Sequence, residues 1–562
     1  MSNATRDGQL NPLYLSSWGL LWLLAMHYFQ PNGGGIALGL AFNSTSWMAL
    51  SLILALGAWQ IARKGASTLT PLQPASVLCL IALMLPLTWS PDPWVGQTYG
   101  RYLALMALML LAFIHQQFQL TSAQKDNFWR LIIAAGLIQA LFCVLLYLFP
   151  DWLPALLKGH RPLGIFQHTN PAATFIGCTM AIAFYRLQQH EAHSLWRNLS
   201  WLLIGAGTIV QVLILSRTGV VGTLLALGAL TALTGWRRSK PLWATVLLAT
   251  SLAILLQLSQ GTTLRGHLDQ AGYRSTLYGL SVELIQENPI TGVGMGRFQS
   301  AYMEKQAQHY YEVNDYPYMM LASDHPHNEL LYWGVEGGIL PMLALFSFGL
   351  WISVRVWRQG NLHQKAMWLC LFPILLHTQT EFPLYQSVPH LTLFAILMAE
   401  MSPGKGKAYT IRGKGILRLS APVMVLLLWS FMLSNLHSTY LLGQYFTTRD
   451  PSHLAGIVNP FGQVKSVNTL TGAALLNIGT PAALTQAEAL AQTEVTLRPS
   501  IGSYALWLST LLQQGKAQEA EQVRQKAHYL FVDAPQFQSP LSPAVSESTA
   551  HLPPASAARS TH

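Results

Sequence analysis

The chain has 562 residues, of which 51% are hydrophobic and 10% are charged, and its formal net charge is +10. A mean hydropathy of +0.32 and repeated apolar runs argue against a set of soluble domains and predict an all-α polytopic membrane protein. The basic residues are spread through short loops, so membrane topology explains the charge and no nucleic-acid partner is expected.

Apolar runs of bilayer length recur along the first three-quarters of the chain. A membrane-spanning helix needs about 17–25 mostly apolar residues. About thirteen spans are predicted, at 14–30, 42–62, 74–90, 102–117, 129–149, 171–187, 199–215, 219–235, 242–258, 329–353, 366–380, 384–400 and 420–437. The second span is ambiguous because the Gly-rich residues 33–48 also suit a re-entrant turn.

The distribution of Lys and Arg orients these spans. With a cytoplasmic N-terminus, more than half of the 33 basic residues fall in short cytoplasmic loops, as the positive-inside rule requires. Loops 150–170 and 259–328 and the segment after residue 437 are then predicted to lie outside. Arginines in those outside segments need another explanation.

Four regions are predicted. Residues 1–150 form N-terminal transmembrane helices, and residues 151–437 form a membrane core with the long loop 259–328. Residues 438–533 are an external helical region, in which 499–520 resembles one tetratricopeptide-type helix–turn–helix unit. Residues 534–562, rich in Pro, Ser and Ala, are predicted to be disordered.

The first candidate site segment precedes the sixth span. It runs from His160 to Pro171, where Arg161 supplies charge and Gln167, His168 and Asn170 supply hydrogen bonds. An ordinary polar loop with helix caps explains the same residues equally well.

Arg217 lies between two apolar runs. The stretch 199–235 is too long for one span and predicts two spans joined at Ser216-Arg217-Thr218-Gly219. An arginine beside hydrocarbon can clamp an anion, and phosphate is the membrane-borne anion that guanidinium binds best. The alternative is a snorkelling arginine at a hairpin.

The long outside loop combines basic, Gly-rich and aromatic segments. It contains Arg274 and the Gly-rich stretch 288–298, which follows no strand and is therefore a weak nucleotide motif. Its glycines are expected to permit a tight backbone path. Tyrosines at 310, 311, 316 and 318 suit stacking on sugar rings or packing at the bilayer interface.

The stretch Ser323–Leu331 closes that loop and opens a membrane helix. His325 and His327 are a candidate proton-transfer pair, with His327 as general base, because neutral imidazole accepts a proton near neutral pH. The alternative is a helix N-terminus capped by Asn328 with interfacial histidines. Glu381, at the outside end of span eleven, can orient an imidazole, bind sugar or be an exposed carboxylate.

No metal site is expected. His325 and His327 need a third ligand, such as Asp324 or Glu381, and no ligand spacing elsewhere supports one. The four cysteines lie inside apolar runs and are predicted to be small packed residues, without disulfides or zinc.

Four motifs in this order resemble the O-antigen ligase/polymerase superfamily of bacterial membrane glycosyltransferases. They are Arg-Pro-x-Gly with Gln-x-x-Asn at 161–170, Ser-Arg-Thr-Gly at 216–219, Asn-Pro-x-x-Gly-x-Gly at 288–294, and His-x-His-Asn with Glu-Gly-Gly at 325–338. The chain looks most similar to protein O-oligosaccharyltransferases of the PglL type, through 161–171, Glu-Phe-Pro-Leu-Tyr at 381–385 and the helical tail. Gln167-His168-Thr169-Asn170 departs from the usual Gln-Pro-Asn, which weakens any role for His168.

The resemblance implies a reaction at the periplasmic face of the bacterial inner membrane. A glycan on undecaprenyl diphosphate is transferred whole to Ser or Thr of a pilin or another exported protein, without a metal or other cofactor. It implies that His327 activates the acceptor, that Arg217 and Arg274 hold the diphosphate, and that Arg161 is a further donor contact. His325, Asn328, Gln167, Asn170 and Glu381 are expected to support these groups, and membrane lipids surround them.

Two other hypotheses remain. The same donor can serve a ligase that uses lipid A core, or a polysaccharide polymerase, because an acceptor site need not leave a motif. A transporter would instead show charges at mid-membrane and inverted repeats, which the sequence lacks.

Overall fold

The computed structural model describes residues 9–30, 36–92, 95–96, 98–152, 163–189, 195–259, 271–313 and 323–541. Nearly all of this part of the chain is helical, and its two short strands are β1 (Ala66–Leu69) and β2 (Lys407–Thr410). The helices of the first half are α1 (Asn11–Leu23), α2 (Ala41–Lys64), α3 (Leu72–Met84), α4 (Thr98–His115), α5 (Ser122–Leu148), α6 (Thr169–Leu187), α7 (Leu195–Ile214), α8 (Arg217–Thr234), α9 (Trp236–Ser259) and α10 (Ala271–Glu287).

The second half continues this all-α pattern. Its helices are α11 (Phe298–Val313), α12 (Glu329–Gly337), α13 (Ile339–Gln359), α14 (Leu362–His377), α15 (Pro383–Gln386), α16 (Val388–Met401), α17 (Lys414–Thr448), α18 (Ser452–Ala455), α19 (Val464–Ile478), α20 (Pro481–Leu497), α21 (Ile501–Gln513), α22 (Ala517–Leu530) and α23 (Pro535–Gln538).

Eight of the described helices are long and apolar enough to cross a membrane: α2, α4, α5, α7, α8, α9, α13 and α17. Two shorter apolar helical stretches, Leu72–Thr88 and Val388–Met401, accompany them. This confirms an all-α protein with many apolar helices, whereas the count of thirteen spans stays a prediction. The predicted division of 199–235 is confirmed, because α7 ends at Ile214 and α8 begins at Arg217.

The chain forms two compact units. The first comprises residues 1–296, 325–448 and 456–463, and the second comprises 297–324, 449–455 and 464–562. Each unit has its own apolar core within the described residues. The loop 259–328, predicted as one polar loop, contains helices α10 and α11 and contributes to both units.

In the first unit, α6 is almost completely buried. It packs against α5, α7, α8 and α14, and α14 also packs against α8 and α16. The N-terminal ends of α6 and α8 lie at the same end of the bundle as the C-terminal end of α14, since Thr174 on α6 is bonded to His377 and Thr218 on α8 is bonded to Thr380. At the opposite end, β1 and β2 pair antiparallel with Ala66 opposite Thr410. The four cysteines are free and buried, which agrees with their prediction as packed residues.

The second unit is built from α11 and the helices after residue 463. Its core contains Met303, Tyr504, Leu511 and Phe531. Helices α21 and α22 are joined by a short turn and pack on each other, as predicted for one helix–turn–helix unit, although the tetratricopeptide assignment stays a prediction. Residues 534–541, predicted to be disordered, form a packed end with Phe537 fully buried, and residues 542–562 lie outside the described residues.

The predicted span 329–353 is two helices in the structure, α12 and α13. The break is at Gly338, whose φ is +86° and whose added Cβ would lie 2.3 Å from the carbonyl oxygen of Ile290. The Gly-rich segment fills the break, because the Ile339 amide donates to the Pro289 carbonyl at 2.8 Å. A continuous helix cannot accommodate this crossing of backbones.

The Gly-rich segment 288–298 is hydrogen-bonded through its backbone to the C-terminal end of α12, where the Glu-Gly-Gly motif lies. The Val293 amide donates to the Val335 carbonyl at 2.8 Å, and the Gly294 amide donates to the Glu336 carbonyl at 3.2 Å. The expectation of a tight backbone path is therefore confirmed, with a packing function in place of nucleotide binding.

Gly292→Ala is expected to destabilise the first unit. Gly292 has a φ of +65°, and an added Cβ would lie 2.5 Å from the backbone of Glu336. A strained left-handed residue costs about 1–3 kcal/mol, so the melting temperature in detergent should fall. Gly279→Ala is the matched control, because Gly279 is an exposed residue of α10 with no atom within 4 Å of an added Cβ. Equal melting temperatures for the two variants would contradict this account.

Candidate functional site

His327 lies immediately before the N-cap of α12. Its φ is +50°, a left-handed conformation that is uncommon for residues other than glycine and tends to occur at functional sites. Asn328 is the N-cap, and its side chain accepts from the Leu331 amide at 3.0 Å, so the predicted cap is confirmed. His325 is buried beside His327, with ring centroids 4.2 Å apart, and the Phe382 ring meets the His325 ring edge-on.

Three helices begin in the same way at this end of the bundle. The residues just before the N-caps of α6, α8 and α12 are Gln167, Leu215 and His327, and all three have φ between +50° and +55°. Each therefore turns the chain sharply into a helix. Helix N-termini carry partial positive charge, so this end of the bundle suits an anion.

The segment 378–382, between α14 and α15, holds His327 in place. The Asn328 side chain donates to the backbone and side-chain oxygens of Gln379 at 3.3 and 3.4 Å. The Tyr278 hydroxyl donates to the carbonyls of His327 at 3.2 Å and Gln379 at 3.4 Å. Because Tyr278 is one helical turn after Arg274 on α10, this contact fixes the part of α10 that carries Arg274 against the same segment.

The same segment holds the N-terminus of α8. The Thr218 hydroxyl donates to the Thr380 hydroxyl at 3.0 Å. The Ser216 hydroxyl caps α8 and donates to Asn170 Oδ1 at 2.7 Å, while Asn170 Nδ2 donates to Glu381 Oε1 at 2.6 Å. Arg217, the first residue of α8, is exposed beside this network.

Glu381 is a buried carboxyl with imidazoles around it. Burial alone would raise its pKa, but the imidazoles of His168, His377 and His327 hold the pKa of this carboxyl well below its usual range. Asn170 and His377 each donate to one of its oxygens. Of the alternatives for Glu381, an exposed carboxylate is wrong because the residue is 5% exposed. Orienting an imidazole and binding sugar both stay predictions.

Not every predicted site residue joins this network. Gln167 instead donates to the Gln30 carbonyl at 2.7 Å, so it anchors the chain before α6. His168 is exposed and is one of the imidazoles that lower the pKa of Glu381. Arg161 lies outside the described residues.

The sequence analysis missed three members of the network: Thr218, Tyr278 and His377. His377 is fully buried, with Nε2 3.1 Å from Glu381 Oε2. The four-residue spacing of His377 and Glu381 was the available signal, since such residues are neighbours on one helical face. Within the described residues, no group of three His, Cys, Asp or Glu side chains is arranged to hold a metal ion.

Glu381→Gln is expected to destabilise the protein in a pH-dependent way. A carboxyl whose pKa is depressed on folding stabilises the folded state above its unfolded pKa of about 4.3, and this contribution is lost as pH falls through the folded pKa. The difference in melting temperature between wild type and Glu381→Gln should be largest above about pH 5 and should shrink in stronger acid. Asp533→Asn, at an exposed position, is the control, and a difference between wild type and Glu381→Gln that is constant with pH would contradict the assignment.

Two family models match this chain. Residues 200–346 match the O-antigen ligase family, and residues 365–544 match the C-terminal region of the virulence factor membrane-bound polymerase family. No curated protein matches the chain. The first match covers Arg217, Arg274 and His327, and the second covers His377 and Glu381. Each match covers less than half of the chain. Together they support a likeness to the O-antigen ligase superfamily of membrane proteins, and glycan transfer is the activity that this likeness suggests.

Proposed function

We propose that this protein transfers a whole glycan from undecaprenyl diphosphate to Ser or Thr hydroxyls of exported proteins such as pilins. The observation that carries the proposal is the segment 378–382, which is hydrogen-bonded to Asn328, the residue after His327, and to the helix ends bearing Arg217 and Arg274. One potential base and two cations are thereby held by the same five residues.

The proposed chemistry follows from these groups. The acceptor hydroxyl oxygen attacks the anomeric carbon while its proton passes to the His327 imidazole. The bond between the anomeric carbon and the phosphate oxygen breaks, and the lipid diphosphate leaves with the bonding electrons. Arg217 and Arg274, with the N-terminus of α8, stabilise the charge that develops on it. His327 then releases its proton to water, which restores the free base.

A membrane orientation belongs to the proposal. We place the chain in the bacterial inner membrane, with the N-terminus in the cytoplasm and both the candidate site and the C-terminal helical unit in the periplasm. The excess of Lys and Arg in the loops at the opposite end supports this orientation. A lipid-linked glycan in the outer leaflet would then have direct access to Arg217.

A second candidate function uses another acceptor. The match of residues 200–346 to the O-antigen ligase family favours transfer to lipid A core, and the polymerase match favours growth of a polysaccharide. Both share the donor and the proposed base, so they differ from the first proposal only in the hydroxyl that attacks.

His327→Ala is expected to lower transfer by about 10²- to 10⁴-fold, the usual contribution of a general base. The test co-expresses this chain with a lipid-linked glycan pathway and a candidate pilin, and measures the intact mass of the pilin. Wild type should add the mass of one whole glycan. His437→Ala is the control, because His437 is an exposed histidine of α17 outside the network.

The outcomes separate the acceptors. Glycan on lipopolysaccharide but not on the pilin would assign the ligase function. Longer polysaccharide on the lipid carrier would assign the polymerase function. Full transfer by His327→Ala would remove the base assignment.

Arg217→Ala and Arg274→Ala are each expected to raise the KM for the lipid-linked donor. A lost hydrogen bond to a charged group costs about 1.5–3 kcal/mol, which corresponds to about 10- to 100-fold in affinity. Reconstituted proteoliposomes with saturating acceptor provide the measurement. Arg237→Ala, which replaces an exposed arginine in the first turn of α9, should leave the KM unchanged, and the same effect in all three variants would contradict a diphosphate clamp.

A further inference from the structure

A chain of buried polar side chains lies behind Glu381. His377, in the last turn of α14, places Nε2 3.1 Å from Glu381 Oε2 and Nδ1 2.9 Å from the Thr174 hydroxyl. The Thr174 hydroxyl is also 3.2 Å from His390 Nε2, and His390 Nδ1 is 2.8 Å from the Ser387 hydroxyl. Histidines 377 and 390 are both fully buried, so this chain of hydrogen bonds leads into the protein and away from solvent.

His377 is poorly placed to react with a substrate. Both of its ring nitrogens have protein partners, and the residue has no exposed surface. His327, in contrast, is partly exposed. The buried imidazole can therefore affect chemistry only through Glu381.

Glu381 has little freedom of orientation. Its Oε1 accepts from Asn170 on α6, and its Oε2 is held by His377 on α14. These two partners lie on different helices and fix the plane of the carboxylate. Phe382, the residue after Glu381, places its ring centroid 3.9 Å from that of His325, and the His325 and His327 centroids are 4.2 Å apart. The imidazoles of His168 and His327 both favour the charged carboxylate, and His390 lies on the other side of His377 with ring centroids 6.1 Å apart.

We propose that His377 is a positioning residue for the transfer reaction: it fixes the Glu381 carboxylate so that the carboxylate faces and orients the His327 imidazole. This inference rests on the proposed function. His377 gains and loses no proton during turnover. Because a misplacement of about 1 Å can cost about 100-fold in rate, an orienting partner that never touches substrate can still control kcat.

The chain contains a matched control pair at the opposite end of the helices. His115 Nε2 lies 2.9 Å from Glu400 Oε1, and the Tyr14 hydroxyl lies 2.8 Å from His115 Nδ1. His115 is thus another buried histidine between a carboxylate and a hydroxyl, but it belongs to no part of the candidate site. Its replacement should cost stability without affecting the kcat of the folded protein.

The experiment compares His377→Ala, Glu381→Gln, their double variant and His115→Ala in proteoliposomes, with rates expressed per folded protein. His377→Ala should lower kcat by about 100-fold and leave the donor KM unchanged. The double variant should be no slower than Glu381→Gln alone, because His377 acts only through Glu381. His377→Gln should restore most of the rate, since its amide nitrogen can donate to Glu381, and it carries the test if His377→Ala does not fold.

Full kcat in both His377 variants would overturn the inference. Additive losses in the double variant, or an equal loss of kcat in His115→Ala, would overturn it as well. A wild-type protein that transfers glycan to no acceptor would instead refute the proposed function, and the inference with it. A defect in donor KM without a defect in kcat would assign His377 to substrate binding and contradict positioning.

Discussion

The burial of the Glu381 carboxylate constrains which helices meet at this end of the bundle. A buried charge is costly unless it is paired and hydrogen-bonded. Here the stabilising groups are Asn170 and His377, together with the nearby His168 and His327 imidazoles. They come from distant parts of the chain, so α6, α14 and the N-terminus of α12 must meet for the carboxylate to be tolerated. The same packing brings Ser216, and with it Arg217, to the site.

An anion site can arise here without a metal ion. Helices α6, α8 and α12 start at this end, and each start is preceded by a residue in the left-handed conformation. Such conformations cost about 1–3 kcal/mol and persist only where the surroundings enforce them. The combination of helix N-termini with guanidinium groups matches the charge of a diphosphate leaving group, which is why the proposed reaction fits this geometry.

A second buried charged group lies between α4 and α12. Arg101 on α4 forms a buried ion pair with Glu336 on α12, and its guanidinium lies 3.8 Å from the Tyr332 ring centroid and 4.2 Å from that of Trp333. The buried ion pair therefore joins α4 to α12. The Gly-rich segment crosses the same helix end, so α12 is held on two sides while its N-terminus carries His327.

The sequence by itself determined the all-α membrane class, the break before Arg217 and the cap at Asn328, because hydrophobic periodicity and capping are local properties. It also predicted four candidate site residues: His327, Arg217, Asn170 and Glu381. Only the tertiary structure decided that Glu381 is buried against Asn170 and His377, that Gln167 binds Gln30 instead, and that Gly338 divides the predicted span. These outcomes depend on which helices pack together and how closely their backbones approach, and residue spacing along one chain does not carry that information.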